Sequence, residues 1–347
     1  MKQELETSDI VLNRLILGYG LSQAIYVAAK LGIPDLLVGG PRDGDDLARA
    51  TTTNTQSLSR VLRLLAANGV LEEVATDRFA LAPMGELLRS DAEASQRPYA
   101  ILTMELEYPA WGQLLHAVRT GQPGFVRAFG QPLWEYLAIN REAAAVFDAA
   151  MVGVTRWQAQ TVVEAYDFSG SVNVVDVGGG HGTLLASILR AYPDARGVLF
   201  DRPQVMEGAR AFLEAAAVAD RCSLVEGDFL ESIPAGGDTY LLKWIVHDWD
   251  DARATTILRN CKQAMGARGK VLLVEGVIPD GTASAQHAQG LWDDVLMMVL
   301  LGGRERTTEQ YERLLGAAGL HLGAIVPVGP GLCVIEGHPR DSRHSLS

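Results

Sequence analysis

His247, Glu275 and Glu305 are the side chains in this sequence with the types and setting to move a proton. His247 lies in Leu242-Lys-Trp-Ile-Val-His-Asp-Trp, which crowds basic, acidic and aromatic groups together. An imidazole changes charge near neutrality, so it can take a proton from a phenol or acid hydroxyl and leave a nucleophilic oxyanion. A carboxylate on the other ring nitrogen fixes the tautomer, and Glu275 and Glu305 are candidates for that task. A lone histidine is more often an incidental surface or core residue. What raises this one is its place just after an expected strand.

Two features of the chain must position these groups. Val172 to Val177 is a short β-branched run, the pattern of a buried strand. Gly178, Gly179, Gly180 and Gly182 follow it, and Leu184, Leu185, Ile188 and Leu189 then recur at helical spacing. Strand, glycine turn and helix form the entry unit of a doubly wound α/β sheet, where ligands sit outside the carboxyl ends of the strands. The turn alone is shared by dinucleotide, nucleotide and S-adenosylmethionine (SAM) sites. Thr183 stands where the last glycine of Gly-x-Gly-x-x-Gly would fall, and no P-loop lysine follows.

Later acids narrow the ligand. Asp201 ends the next expected strand, Gly197 to Phe200, where a carboxylate accepts hydrogen bonds from ribose hydroxyls. Asp228, in Gly227-Asp-Phe, ends the third and can take an adenine amino group. The loop offers no Lys or Arg for a pyrophosphate, which suits a sulfonium cofactor and favours SAM over NAD. The remaining sheet follows in order: a fourth strand over Thr239 to Lys243, a helix over Asp251 to Met265, and a fifth strand over Lys270 to Glu275. Thr307-Thr-Glu-Gln has the form of a capping box. A hairpin of Ala324 to Val328 and Leu332 to Glu336 closes a mostly parallel sheet with an antiparallel last strand.

The 347 residues suffice for two domains. The net charge of −12 argues against nucleic acid, whose binding rests on neutralising phosphates. Cys222, Cys261 and Cys333 are far apart, have no metal-ligand spacing and read as buried free thiols in a reducing compartment, and no metal is expected. The N-terminal residues do not form a signal peptide, and no apolar run is expected to span a bilayer, which implies a cytoplasmic protein. The tail from Pro339 to Ser347 is expected to be disordered.

Ser8 to Lys30 reads as a helix apolar nearly all round, which must be buried, against another subunit if not its own. Asp45 to Ala50 and a second helix bearing Leu58, Val61, Leu62 and Leu65 precede a hairpin of Val70 to Val74 and Arg78 to Leu81. This is a winged-helix pattern, common in DNA-binding domains, so a regulator is a rival reading. Its second helix offers only Arg60 and Arg63 as cations, which favours dimerisation over DNA. Residues 1–100 are taken as that module. A helical, aromatic-rich linker over 101–168 opens the catalytic part, 101–347.

The chain resembles the SAM-dependent O-methyltransferases of small-molecule metabolism, the plant caffeate and flavonoid type and its bacterial polyketide and antibiotic relatives. The resemblance rests on Val175-Asp-Val-Gly-Gly-Gly-His-Gly, Phe200-Asp-Arg-Pro, Gly227-Asp-Phe, Leu242-Lys-Trp-Ile-Val-His-Asp-Trp, Val274-Glu and Gly302-Gly-Arg-Glu-Arg-Thr, in the family's order. It implies a Rossmann-like sheet, a homodimer built by the N-terminal domains, and an aromatic acceptor. For the cofactor it implies contacts from Thr155, Arg156, Asp176, Gly178, Gly180, Asp201, Arg202, Gly227, Asp228, Phe229, Lys243 and Trp249. His247 matches the catalytic base, flanked by Glu275 and Glu305. Phe147, Met151, Trp292, Leu296, Met297 and Leu300 match substrate walls. Asp293-Asp294 and the Met-rich run after them resemble bacterial members more than plant ones. Some bacterial relatives methylate nitrogen, and a few use SAM for hydroxylation or other non-methylating chemistry.

Overall fold

The computed structural model describes residues 7–93, 95–266, 268–329 and 331–340. Most of the expected tail lies outside them. The chain forms two compact units, one of Met1–Tyr108 with Ala145–Val154, the other of Pro109–Ala144 with Thr155–Ser347.

The first unit begins with α1, Ser8–Leu31, which stops at Gly32 in the left-handed region (φ 68°). Ala24 and Ala28 of its second half join a core with Ile33, Leu47, Leu62, Leu65 and Phe79. Its first half behaves otherwise. Leu12, Leu15, Ile16, Leu17 and Tyr19 are all exposed, Leu15 by 72%. Among the described residues no layer of this unit covers the first half, so they do not bury the whole helix. The same helix corrects the expectation about bilayers. Over 18 residues its mean hydropathy is 1.3, enough by length and composition to cross a membrane.

Helices α2, Gly44–Thr51, and α3, Thr55–Ala67, follow. Asn54 caps α3 by accepting the Ser57 N–H at 3.0 Å, and Leu58, Leu62 and Leu65 form its buried face. Strands β1, Arg42–Asp43, β2, Leu71–Ala75, and β3, Arg78–Leu81, pair antiparallel in the order β1-β3-β2. β1 is too short to leave a pattern in the sequence.

The long helix α4, Arg141–Ala165, contributes to both units. The second unit is built on a seven-stranded sheet: β4 Asn173–Val177, β5 Arg196–Asp201, β6 Cys222–Glu226, β7 Thr239–Lys243, β8 Lys270–Gly276, β9 Leu320–Gly329 and β10 Leu332–Pro339. Their order is β6-β5-β4-β7-β8-β10-β9, and only β10 runs against its neighbours. Helices α5 Thr183–Ala191, α6 Pro203–Ala215, α7 Asp251–Ala264, α8 Ala288–Leu300 and α9 Thr308–Ala317 belong to the same unit, as do shorter helices over residues 114–139. The capping box is present, with Thr307 and Gln310 each bonding the other's backbone N–H.

Side chains alternate across each strand, so the sheet has two apolar faces. Val174, Leu241 and Leu272 pack with α5 on one face, while Val175, Leu242 and Leu273 pack with α7 and α9 on the other. With both faces covered, chemistry is confined to the strand ends. β4, β5, β7 and β8 end at Val177, Asp201, Lys243 and Gly276, all on one edge by their parallel register. Cys261 is buried, and Cys222 and Cys333 are only half-buried.

Candidate active site

The glycine turn leaves β4 by a path that side chains would block. Gly178 has φ 69°, and a Cβ on it would come within 2.6 Å of Ile245. A Cβ on Gly179 would come within 2.5 Å of the Asp176 carboxylate. In front of Gly180, by contrast, a Cβ would meet nothing within 4 Å. Asp201 ties the turn to β5: its Oδ2 accepts the Gly180 N–H at 2.8 Å and its Oδ1 the Arg202 N–H at 2.7 Å. Gly227 donates to the Asp201 carbonyl at 3.1 Å, which draws Asp228 and Phe229 to the same edge. Phe229 meets Trp249 edge-on, with ring centroids 6.0 Å apart.

These residues fit a nucleoside-bearing cofactor. The open side of Gly180 admits a ligand against bare backbone, and Asp201 stands beside it. The buried Trp249 indole N–H has no partner among the described residues and could donate to a ring nitrogen. Asp176 and Lys243 lie behind the turn. Burial pushes Asp176 up to about 7, helped by Asp201 and opposed by Lys243. Burial pushes Lys243 down to about 7, against the attraction of Glu275 and Asp176. The Lys243 ammonium rests 3.4 Å over the Trp244 ring.

The acid–base group sits at the ends of β7 and β8. His247 occupies a single turn, Val246–Asp248, just past β7. Trp244 before it has φ 54°, a strained value for a bulky residue, and its ring stacks on the imidazole at 6.2 Å. His247 Nδ1 and Glu305 Oε1 are 2.6 Å apart, and Glu275 Oε2 is 3.7 Å from the same nitrogen. Glu275 is fully buried, and its Oε1 accepts the N–H groups of Ile245 at 3.0 Å and Val246 at 2.8 Å. Asp248 Oδ1 lies 3.3 Å from His247 Nε2.

Desolvation alone would lower the His247 pKa, but Glu275, Glu305 and Asp248 outweigh it and push it up to about 10. Where the sequence suggested an imidazole poised near neutrality, the carboxyl groups around the buried ring favour its protonated form. Burial raises Asp248 to about 7 and also raises Glu275, each opposed by the His247 charge. His247, Glu275 and Glu305 also have the mutual spacing of metal ligands, within 4.8 Å.

The other sequence candidates fall in several places. Trp292, Leu296, Met297 and Leu300 share α8, which also supplies Asp294 to accept the Glu305 N–H at 2.9 Å. Trp292 stacks on Trp111 at 5.6 Å. Thr155 and Arg156 are on α4 within the second unit, Thr155 half-buried and Arg156 exposed. Phe147 and Met151, also on α4, belong to the first unit. Sequence reasoning assigned no role to Asp248, Asp294 or Arg306. Its signal for Arg306 was the glycine pair before it. A Cβ on Gly303 would fall 2.0 Å from the His247 carbonyl oxygen, so the pair marks a close backbone approach.

Two family models match the chain. The O-methyltransferase domain model matches residues 111–321, and the O-methyltransferase dimerisation domain model matches residues 13–91. The chain is 45% identical to the phenazine O-methyltransferase PhzM of Lysobacter antibioticus, over 95% of this chain and 96% of that one. It is 38% identical to the 8-amino-8-demethylriboflavin N,N-dimethyltransferase of Streptomyces davaonensis, over 90% of each. Among solved structures, LaPhzM superposes with a TM-score of 0.93 at 44% identity, covering 96% of this chain and 100% of that one. CalO1, a methyltransferase of calicheamicin biosynthesis in an S-adenosylhomocysteine-bound form, superposes with a TM-score of 0.80 at 35% identity, covering 97% and 100%.

Proposed function

We propose, on the premise that this chain belongs to the SAM-dependent O-methyltransferase family, that it methylates a hydroxyl of an aromatic or polyketide-type small molecule in cytoplasmic secondary metabolism. The observation that carries the reading is the buried His247–Glu305 contact of 2.6 Å on the sheet edge that also holds the glycine turn and Asp201. Glu305 fixes Nδ1, so Nε2, once its own proton has left, is the atom that takes the acceptor's proton. Glu275 holds the turn and shares the imidazolium charge. When bound, SAM supplies a methyl group on a positively charged sulfur. With SAM held there, transfer of that methyl to the acceptor oxygen would release S-adenosylhomocysteine, and His247 would keep the acceptor's proton.

Gly178, Gly180, Asp201, Arg202, Gly227, Asp228, Phe229, Lys243 and Trp249, with Asp176 behind them, are the proposed cofactor residues. Thr155 and Arg156 are proposed for its carboxylate. Trp292, Leu296, Met297 and Leu300 are proposed acceptor contacts, suited to a flat apolar ring. Residues 1–100 are the proposed dimerisation module and 101–347 the catalytic part. Nitrogen methylation is the second reading, and the similarity to an N,N-dimethyltransferase supports it. An aromatic amine attacks as the neutral species and sheds its proton afterwards, so it needs no free base at the outset.

The test is incubation with SAM and paired panels of phenols, hydroxylated polyketides, phenazines and matched arylamines, following S-adenosylhomocysteine and product by mass spectrometry. O-methyl products support the main reading and N-methyl products the second. A new hydroxyl without a methyl refutes both.

A further inference from the structure

Arg306 is the largest fully buried side chain among the described residues, at 0% exposure. A guanidinium carries five N–H groups, and here five acceptor contacts match them. Nη1 donates to the carbonyls of Val246 at 2.9 Å and Arg304 at 3.4 Å. Nη2 donates to the Trp249 carbonyl at 2.9 Å and to Asp251 Oδ1 at 2.9 Å, and Nε donates to the same carboxylate oxygen at 3.2 Å.

Val246 and Trp249 bracket the turn that carries His247. The two residues before Arg306 hold that turn as well. Arg304 donates its N–H to the His247 carbonyl at 2.8 Å, and Glu305 engages Nδ1 at 2.6 Å. Three consecutive residues therefore grip a single turn in front, behind and through its side chain. Behind them, the Arg306 backbone bridges Val277, and its carbonyl accepts the Ile278 N–H at 3.1 Å. That anchor continues β8, whose Glu275 holds the Ile245 and Val246 N–H groups.

We infer that Arg306 is a positioning residue for His247: its fork sets where the turn stands relative to Glu305 and Glu275. A stabilising role alone would not require these contacts, because a buried ionic group is often replaceable by a well-packed apolar side chain. The fork instead spends two donors on the carbonyls flanking one histidine. A lysine has a point charge on a flexible stem and cannot hold both carbonyls and Asp251 in one plane. The inference rests on the reading of His247 as the base.

The test compares Arg306→Lys and Arg306→Met with Thr307→Ala, which loses the capping box of α9 and lowers stability without touching the turn. In ¹⁵N-histidine-labelled wild type, the Nδ1 proton bound to Glu305 should resonate far downfield, assigned by its loss in His247→Gln. Arg306→Met should lose that signal, and Arg306→Lys should weaken it. Turnover should fall about 100-fold or more in Arg306→Met, the scale of a small misplacement of a catalytic group, with the SAM dissociation constant within about twofold of wild type. Thr307→Ala should keep both signal and turnover at a lowered melting temperature. Arg306→Lys that keeps the full signal and full turnover while only melting earlier would overturn the inference, and it decides the matter if Arg306→Met does not fold. The imidazole signal needs no acceptor. Failure to find any methylated product would therefore count against the proposed function and leave the positioning role to the spectrum.

Discussion

Nδ1 of His247 and Oε1 of Glu305 stand 2.6 Å apart in a buried setting, with Asp248 Oδ1 3.3 Å from the opposite ring nitrogen. A neutral imidazole can satisfy a carboxylate on only one side. The charges of Glu275 beside Nδ1, then of Glu305, then of Asp248 on the other side favour the doubly protonated ring, and this is why the pKa rises to about 10 in spite of burial. A base held as imidazolium must lose a proton before it can take one from an acceptor.

Wild-type activity on a phenolic acceptor should therefore climb between pH 7 and pH 10 and should not level off near 6.5. His247→Ala should bind SAM normally and lose about 10²–10⁴-fold in turnover at neutral pH. Its residual rate should follow the acceptor's own pKa, because the solution then supplies the oxyanion. Near-full activity of the alanine variant at pH 7 would leave the transfer to proximity alone.

Stability should carry the same signature. The folded pKa of His247 is raised from 6.5 to about 10, so its stabilisation is fully present below pH 6.5 and is lost as pH rises through 10. Asp248, raised from 3.8 to about 7, acts in the same direction over a lower window. Lys243, lowered from 10.5 to about 7, gains stability over pH 7 to 10 and opposes this loss. The His247 share of the fall in melting temperature from pH 6 to pH 10 is therefore read as the difference between wild type and Glu305→Gln. Glu305→Gln removes one source of the raised pKa and should flatten that fall. An equal slope in wild type and Glu305→Gln would mean that Glu305 does not set the His247 charge.

Asp201→Ala should weaken SAM binding more than it slows transfer. Charged hydrogen bonds contribute about 1.5–3 kcal/mol each, so losing the ribose contacts should raise the dissociation constant at least tenfold. The carboxylate also accepts the Gly180 N–H, so part of the loss comes from a loosened turn. Asp201→Asn keeps an acceptor there and should fall between. Calorimetry giving unchanged affinity for Asp201→Ala would remove the residue from the cofactor site.

The sheet was legible because its strands are short apolar runs bounded by glycine or polar turns. Thr239–Lys243 was read to the residue, and the capping box at Thr307 foretold the start of α9. Motif spacing also identified the edge on which His247, Glu275 and Glu305 meet. It could not supply the charge state. The pKa of His247 depends on carboxylates 28 and 58 residues away folding onto one ring, together with Asp248 turning back on it, and on none of them being solvated. Arg306 was hidden for a related reason. An arginine in a loop reads as a surface cation, and only the tertiary structure buries its fork among carbonyls.

The exposed half of α1 leads to the last prediction. Leu12, Leu15, Ile16, Leu17 and Tyr19 point away from the core of their unit, and few soluble chains leave so contiguous an apolar surface to water. A membrane would cover it, and so would a second copy. The match of residues 13–91 to a dimerisation domain places most of this surface in a segment whose relatives pair. The second copy is therefore expected, and the chain should be a homodimer at micromolar concentration. Leu15→Arg with Ile16→Arg puts two charges on the surface without disturbing Ala24 or Ala28, which pack inward. Light scattering should give twice the chain mass for wild type and a monomer for the double variant, with SAM binding by the second unit retained. A monomeric wild type, or one recovered only with detergent or vesicles, would reject the dimer and reopen the membrane reading of α1.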